Sequence, residues 1–247
     1  MDDAEYRKMF EYEDTHWWFR GKRAVLARFL DRLVAAPARG LDVGCGTGAN
    51  LRLFDRYGIA YGVDVSALAL DLSRRRGLAN LARASAERLP YRDESFDVVT
   101  MLDLLYHRRV GDVAASLAEA GRVCRPGGVL IITDSAFEAL RGPHDIAYHG
   151  ARRFRRDELA RAVRSIGFTV LKSSYMNAFL FPPALAIRLA ERLWWGSGRP
   201  RSSLQPPRRV LNDLLAGIFR LEAAVLPHLN LPFGLSVLVV ARKPRAA

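Results

Sequence analysis

The chemistry in this sequence begins at "LDVGCGTGAN", where Gly44, Gly46 and Gly48 stand between a short apolar run and the start of a helical pattern. Glycines in such a turn let the backbone approach a ligand closely and tolerate positive φ. Gly44, Gly46 and Ala49 also satisfy the dinucleotide fingerprint G-x-G-x-x-G/A, so an NAD-dependent oxidoreductase is one reading of the loop. Asp42 argues against it. Two residues before the first glycine a dinucleotide site usually has an apolar residue; a carboxylate there suits an ammonium or sulfonium ligand and sits poorly beside a pyrophosphate. Asp64 ends the next apolar run, twenty residues after Gly44, where it can accept hydrogen bonds from both hydroxyls of a ribose.

Those residues need strands to hold them, and the spacing predicts the strands. "GLDVGC" and "IAYGVD" read as buried strands, the second ended by Ser66 as the cap of a helix over 66–76, with another helix over 48–57 between them. A weaker strand near 79–84 and a strong one at 97–101 follow. "DVAASLAEAGRVC" is helical, and "RPGG" reads as a turn into the strand "VLIITD". Strands alternating with helices at this spacing predict a doubly wound α/β fold. A helix over 22–35 precedes the first strand; a helix near 155–166 and strands at 168–174 and 235–242 close the pattern. The sixty residues 175–234 exceed any hairpin and carry two amphipathic helices, near 183–195 and 208–226, so they read as a helical insertion. The expected division is a helical arm over 1–37 and one domain over 38–247.

Taken in order, "LDVGCGTG", "LPYRDESFDVV" and "RPGGVLIIT" resemble the class I S-adenosylmethionine-dependent methyltransferases of the broad small-molecule type, over roughly residues 38–135. The resemblance implies a Rossmann-like seven-stranded sheet whose last strand is antiparallel. It also implies S-adenosyl-L-methionine as cofactor, held by Asp42, Gly44, Gly46, Asp64 with Val65, Ser85 with Ala86, and Asp103. One departure stands out: "ASAE" replaces the family's common "GDAE", so Ser85 takes the place of an aspartate expected to accept from the adenine amino group. A hydroxyl accepts that bond more weakly than a carboxylate.

"EDTHWWFRGKR", from Glu13 to Arg23, is similar to the arm of one branch of the same family, which helps cover the cofactor. Trp17, Trp18 or Phe19 can wall a sulfonium pocket, because aromatic faces attract cations. Arg20 is the expected partner of the methionyl carboxylate. The blander reading makes one tryptophan a core cap and the other a surface anchor. The branch also carries a histidine loop after its fifth strand, matched here by His144, Asp145, His149, Arg152 and Arg153. A histidine there can remove an acceptor's proton and a carboxylate can orient it; His107, ending "DLLYH", is the rival base. Two histidines and a carboxylate in one loop are weak grounds for a metal, and none is expected.

Composition limits the partners. The formal net charge is +12 and the pI near 10.4, with cations that are nearly all arginine and crowd the C-terminal half. Arginines alone draw polyanions without sequence preference. "MLDLLY" lacks the paired prolines of the D-P-P-Y element used on base amino groups, so a small or lipophilic acceptor is expected rather than specific nucleic acid. Cys45 and Cys124 show no disulfide spacing and the acidic start has no secretory signal, which predicts a cytoplasmic protein. Trp194 and Trp195, followed by arginines, predict peripheral membrane contact through the insertion. A catalytically silent methyltransferase fold that acts as a binding partner remains the alternative of a different class.

Overall fold

The computed structural model describes residues 1–194 and 205–245. Two helices, α1 (Asp3–Tyr12) and α2 (Trp17–Leu33), precede the sheet. Next come β1 (Ala38–Val43), α3 (Leu51–Phe54), β2 (Gly58–Asp64), α4 (Ala67–Arg75), β3 (Leu81–Arg83), β4 (Phe96–Leu102), α5 (Val113–Val123) and β5 (Cys124–Ser135). The chain then passes α6 (Pro143–Ala147), α7 (Arg156–Ser165), β6 (Thr169–Met176), α8 (Phe181–Trp194), α9 (Arg209–Val225) and β7 (Ser236–Arg242). The seven strands form one sheet in the order β3-β2-β1-β4-β5-β7-β6. β7 lies antiparallel between β5 and β6, as expected for the last strand.

The central strands are buried on both faces, which is why they read as unbroken apolar runs rather than alternating ones. Leu41, Val99, Leu130 and Val239 pack towards α5 and α7, while Val98, Ile131, Leu238 and Val240 pack with α2 and α9. Ser66 and Asp112 cap α4 and α5 by accepting from Ala69 N and Ala115 N, each satisfying one orphan donor of a first turn.

Three elements differ from expectation. The helix foreseen over 48–57 shrinks to Leu51–Phe54, because the Tyr57 carbonyl is taken by Ala38 N at 2.7 Å and the chain there is drawn into the sheet. "RPGG" is no turn before β5 but part of it, accommodated by a register shift between Phe96 and Val98 on the neighbouring strand. α2 starts five residues earlier than predicted, at Trp17, with His16 as its cap: Nδ1 accepts from Trp18 N at 3.2 Å.

The insertion is joined to the N-terminal segment. Trp17 N donates to Asn212 Oδ1 of α9 at 2.9 Å, and Asn212 Nδ2 donates to Thr15 O at 3.0 Å. Phe219 of α9 lies 5.9 Å from the Trp18 ring and 6.4 Å from that of Trp17. A Cβ on Gly21 would fall 2.0 Å from Phe219 Cδ1, so a residue without a side chain is needed where the two helices meet.

Candidate active site

A cavity of about 510 Å³ opens along the C-terminal edge of the parallel strands. Its walls follow the sheet order. Gly44, Asp64 and Asp103 close it at the ends of β1, β2 and β4, while Ile131 and Thr133 of β5 and Leu238 of β7 line the far side. Ligands in open α/β sheets bind at this edge, outside the carboxyl ends of the strands.

At the glycine turn, Gly44 and Gly46 adopt φ of 77° and 55°. Cβ atoms there would lie 2.7 Å from Leu104 Cδ1 and 2.6 Å from Met9 Cε. Asp64 accepts from Gly46 N at 3.0 Å and Ser66 N at 2.8 Å, which aims the carboxylate and leaves lone pairs for a ligand. Burial raises its pKa, and these two backbone bonds oppose the rise. Val65, Ser85 and Ala86 complete this end; Ser85 Oγ accepts from Glu87 N at 3.2 Å. This set fits the adenosyl group of S-adenosylmethionine: a backbone cradle, a carboxylate for ribose hydroxyls and a small apolar floor.

Several expected residues take other places. Asp42 is buried behind the cavity wall instead of lining it. It accepts from Thr100 Oγ1 at 2.6 Å, its Oδ2 has no partner among the described residues, and burial pushes its pKa up to about 7. Arg20 points to α9, ion-paired with Asp213 at 2.6 Å. The arm's cation inside the cavity is Lys22, which pairs with Asp103 and lies 5.3 Å from the centre of the Trp18 ring. Trp17, Trp18 and Phe19 all line the cavity.

The histidine loop also differs. The side chain of His144 lies outside the described residues. Asp145 is buried and takes Arg153 as a bidentate partner, at 2.8 Å from Nε and 3.0 Å between Oδ2 and the second terminal nitrogen. Arg153 lines the cavity and also donates to Ala136 O at 2.8 Å. His149 does not line it; its Nε2 is 3.0 Å from Asp2, and its ring stacks on His107 with centroids 5.9 Å apart. His107 does reach the cavity. Burial first, then the N-terminal ammonium 2.8 Å from its Nε2, lowers its pKa to about 3, and Nδ1 accepts from Arg109 N at 3.0 Å.

Lys22, Arg153, and Tyr6 and Met9 of α1 are cavity residues that the sequence reading left without a role there. For Lys22 a signal existed: it stands four residues after Trp18 on one helix, and residues four apart share a face.

Comparison with known proteins agrees with this geometry. Residues 41–132 match the family model described as a methyltransferase domain. A malonyl-[acyl-carrier protein] O-methyltransferase of Geobacter sulfurreducens is 34% identical over 208 residues, covering 72% of this chain and 75% of that one. A demethylmenaquinone methyltransferase of Tropheryma whipplei is 34% identical over 150 residues, and the alignment covers 53% of this chain and 59% of that relative's length. Among solved structures, a Haloferax volcanii methyltransferase in complex with the activator Trm112 aligns with a TM-score of 0.62 at 21% identity, over 99% of this chain and 95% of the other. That likeness is one of fold. The seven-stranded order with β7 reversed, the glycine turn below an acidic strand end, and a relative matched over three quarters of its length lead to one assignment: the chain belongs to the class I S-adenosylmethionine-dependent methyltransferase family.

Proposed function

We propose that this protein transfers a methyl group from S-adenosylmethionine to an apolar, lipid-like acceptor bearing an ionisable oxygen. The observation that carries the reading is the shared cavity. Asp64 and the glycine turn at one end open onto the same space as Ile131, Leu238 and the Arg153 guanidinium at the other. S-adenosylmethionine supplies, when bound, an electrophilic methyl on a sulfonium.

The chain's own residues do the rest. Asp64 accepts the ribose hydroxyls, and Ser85 replaces the usual carboxylate at the adenine. Trp17, Trp18 and Phe19 exclude water and offer aromatic faces to a cation. Arg153, fixed by Asp145, and the buried Thr133 hydroxyl, whose Oγ1 has no partner among the described residues, hold the acceptor's oxygen. His107 is neutral at working pH because burial disfavours its charge. With a pKa near 3 it is a weak proton acceptor, so alignment of the reactants carries more of the acceleration than base strength. Residues 1–37 act in this scheme as an arm over the site. The names of two relatives, which specify demethylmenaquinone and malonyl-[acyl-carrier protein], support a small-molecule or lipid-like acceptor in general.

Calorimetric titration with S-adenosylmethionine, S-adenosylhomocysteine and NAD tests the cofactor. Saturable one-site binding of the first two and none of NAD is expected. Asp64→Ala should weaken that binding roughly tenfold or more, as for loss of a charge-assisted hydrogen bond. NAD binding, or unchanged affinity in the variant, would refute the assignment. Radiolabelled methyl transfer to quinols, phenols and acyl carboxylates of graded chain length then tests the acceptor class.

A further inference from the structure

α9 is apolar on two faces, and one of them has no partner among the described residues. At about 100° per residue, Asn212, Ala216, Phe219 and Ala223 fall on one side, and all four are buried. Val210, Leu214 and Leu221 fall on the opposite side with Gly217 between them, and they are 83%, 59% and 70% exposed. Leu211, also exposed, and the half-buried Ile218 extend the apolar surface along one flank. The other flank carries Arg209, Asp213 and Arg220, and Asp213 is already paired with Arg20. A helix that is apolar all round is normally buried on all sides. Here the outward stripe, about 17 Å long at 1.5 Å per residue, faces solvent beside a net positive edge.

We infer that this outer face of α9 docks on an anionic lipid surface. A stripe of aliphatic side chains with arginines along its edge has the distribution of a helix lying in the plane of a bilayer interface: the apolar face enters the acyl boundary and the cations meet the headgroups. The charge of the chain, +12 overall, draws it to such a surface before the stripe inserts. A second copy of the chain fits worse. In an antiparallel two-fold pairing of this face like flank meets like flank, so the edges bearing Arg20, Arg209 and Arg220 would confront one another; in a parallel one each arginine edge would meet the apolar flank of Leu211 and Ile218. The inference rests on residues other than Trp194 and Trp195, whose side chains lie outside the described residues. It stands apart from the methyl-transfer reading, because no residue of the stripe lines the cavity.

The test is flotation of the full chain with vesicles of phosphatidylcholine alone and of phosphatidylcholine with phosphatidylglycerol. The chain should float with the anionic vesicles and not the neutral ones, and less as salt is raised. Leu214→Glu combined with Leu221→Glu should reduce the floated fraction at least tenfold while leaving the melting temperature and S-adenosylhomocysteine affinity unchanged, since both residues are exposed. Arg209→Gln with Arg220→Gln should weaken flotation and its salt dependence together. Absence of flotation, or equal flotation by the Leu214/Leu221 variant, would overturn the inference. So would a concentration-dependent dimer in sedimentation that the same variant abolishes, because it would make the face a contact between copies.

Discussion

Lys22 and Arg20 differ by two positions, and the helix makes them opposites. Lys22 lies one turn beyond Trp18, shares its face, and enters the cavity to pair with Asp103; Arg20 projects to Asp213. Lys22→Met should therefore lower S-adenosylhomocysteine affinity about tenfold, the range of a hydrogen bond to a charged group, while Arg20→Met leaves it within twofold. Calorimetry on the two variants checks this, and equal losses would contradict the assignment. The aromatic run marked a segment that lines the cavity, but consecutive residues do not say which cation faces inward until the helix phase is fixed. Asp134 shows another limit of the sequence. It looks like an ordinary strand-end aspartate, yet burial first, then the Asp103 carboxylate, raises its pKa from 3.8 to about 8. A raised carboxyl pKa in the folded state means that the native chain holds a proton the unfolded chain has lost. Its stabilising contribution is full below about pH 4, falls across the window above that, and is gone above about pH 8. Asp134→Asn should flatten the decline of melting temperature between pH 6 and 9, as read by thermal denaturation.

At the scale of elements, the parallel strands were legible because burial on both faces writes them as apolar runs between glycine and cap signals. The ligand edge followed from that pattern, and with it the places of Gly44, Asp64 and Ser66. The joining of α2 to α9 was not legible, because it depends on residues nearly two hundred positions apart. Asn212 bonds Trp17 N and Thr15 O, and Gly21 makes room for Phe219. The apolar residues of α9, which the sequence reads only as one amphipathic helix near 208–226, also divide: Phe219 turns inward to α2, and Leu214 outward. Gly21→Ala should destabilise the protein by about 1–3 kcal/mol, the cost of overpacking a filled contact, because the buried Phe219 ring has little room to yield. Asn212→Ala should cost about 1 kcal/mol through loss of a bond at the start of α2. Urea denaturation of both variants measures these, and neither should alter the slope with denaturant.

At the scale of the whole molecule, one arginine ties distant parts of the chain together. Arg76, following α4, donates to Thr47 O in the glycine turn at 2.9 Å and to Phe10 O of α1 at 2.8 Å. It also reaches Glu13 at 2.9 Å and Asp14 at 2.5 Å, just beyond α1, and stacks 4.4 Å from the centre of the Phe10 ring. Glu13 in turn accepts from the Thr47 hydroxyl, and burial pushes its carboxyl up to about 6. The segment carrying Tyr6 and Met9 into the cavity is thus anchored to the turn that would cradle the cofactor. Arg76→Met removes the cation and leaves Glu13 buried without its charge partner, a change that costs about 3–5 kcal/mol when the remaining group stays ionised. Glu13 can escape that cost by taking up a proton. Because Arg76 itself lowers the Glu13 pKa, its loss lifts that pKa above the native value of about 6. The deficit should accordingly be largest above the variant's raised pKa and shrink as pH falls from there to about 6, where the folded variant holds a neutral acid and the parent still an ion. Compared with the parent chain at the same pH, hydrogen exchange over residues 3–12 should be faster in the variant at high pH and approach the parent's rate towards pH 5, with S-adenosylhomocysteine dissociating faster wherever that ratio is large. A variant with loosened α1 but unchanged ligand dissociation would mean that the arm packs on the domain without retaining what the cavity holds.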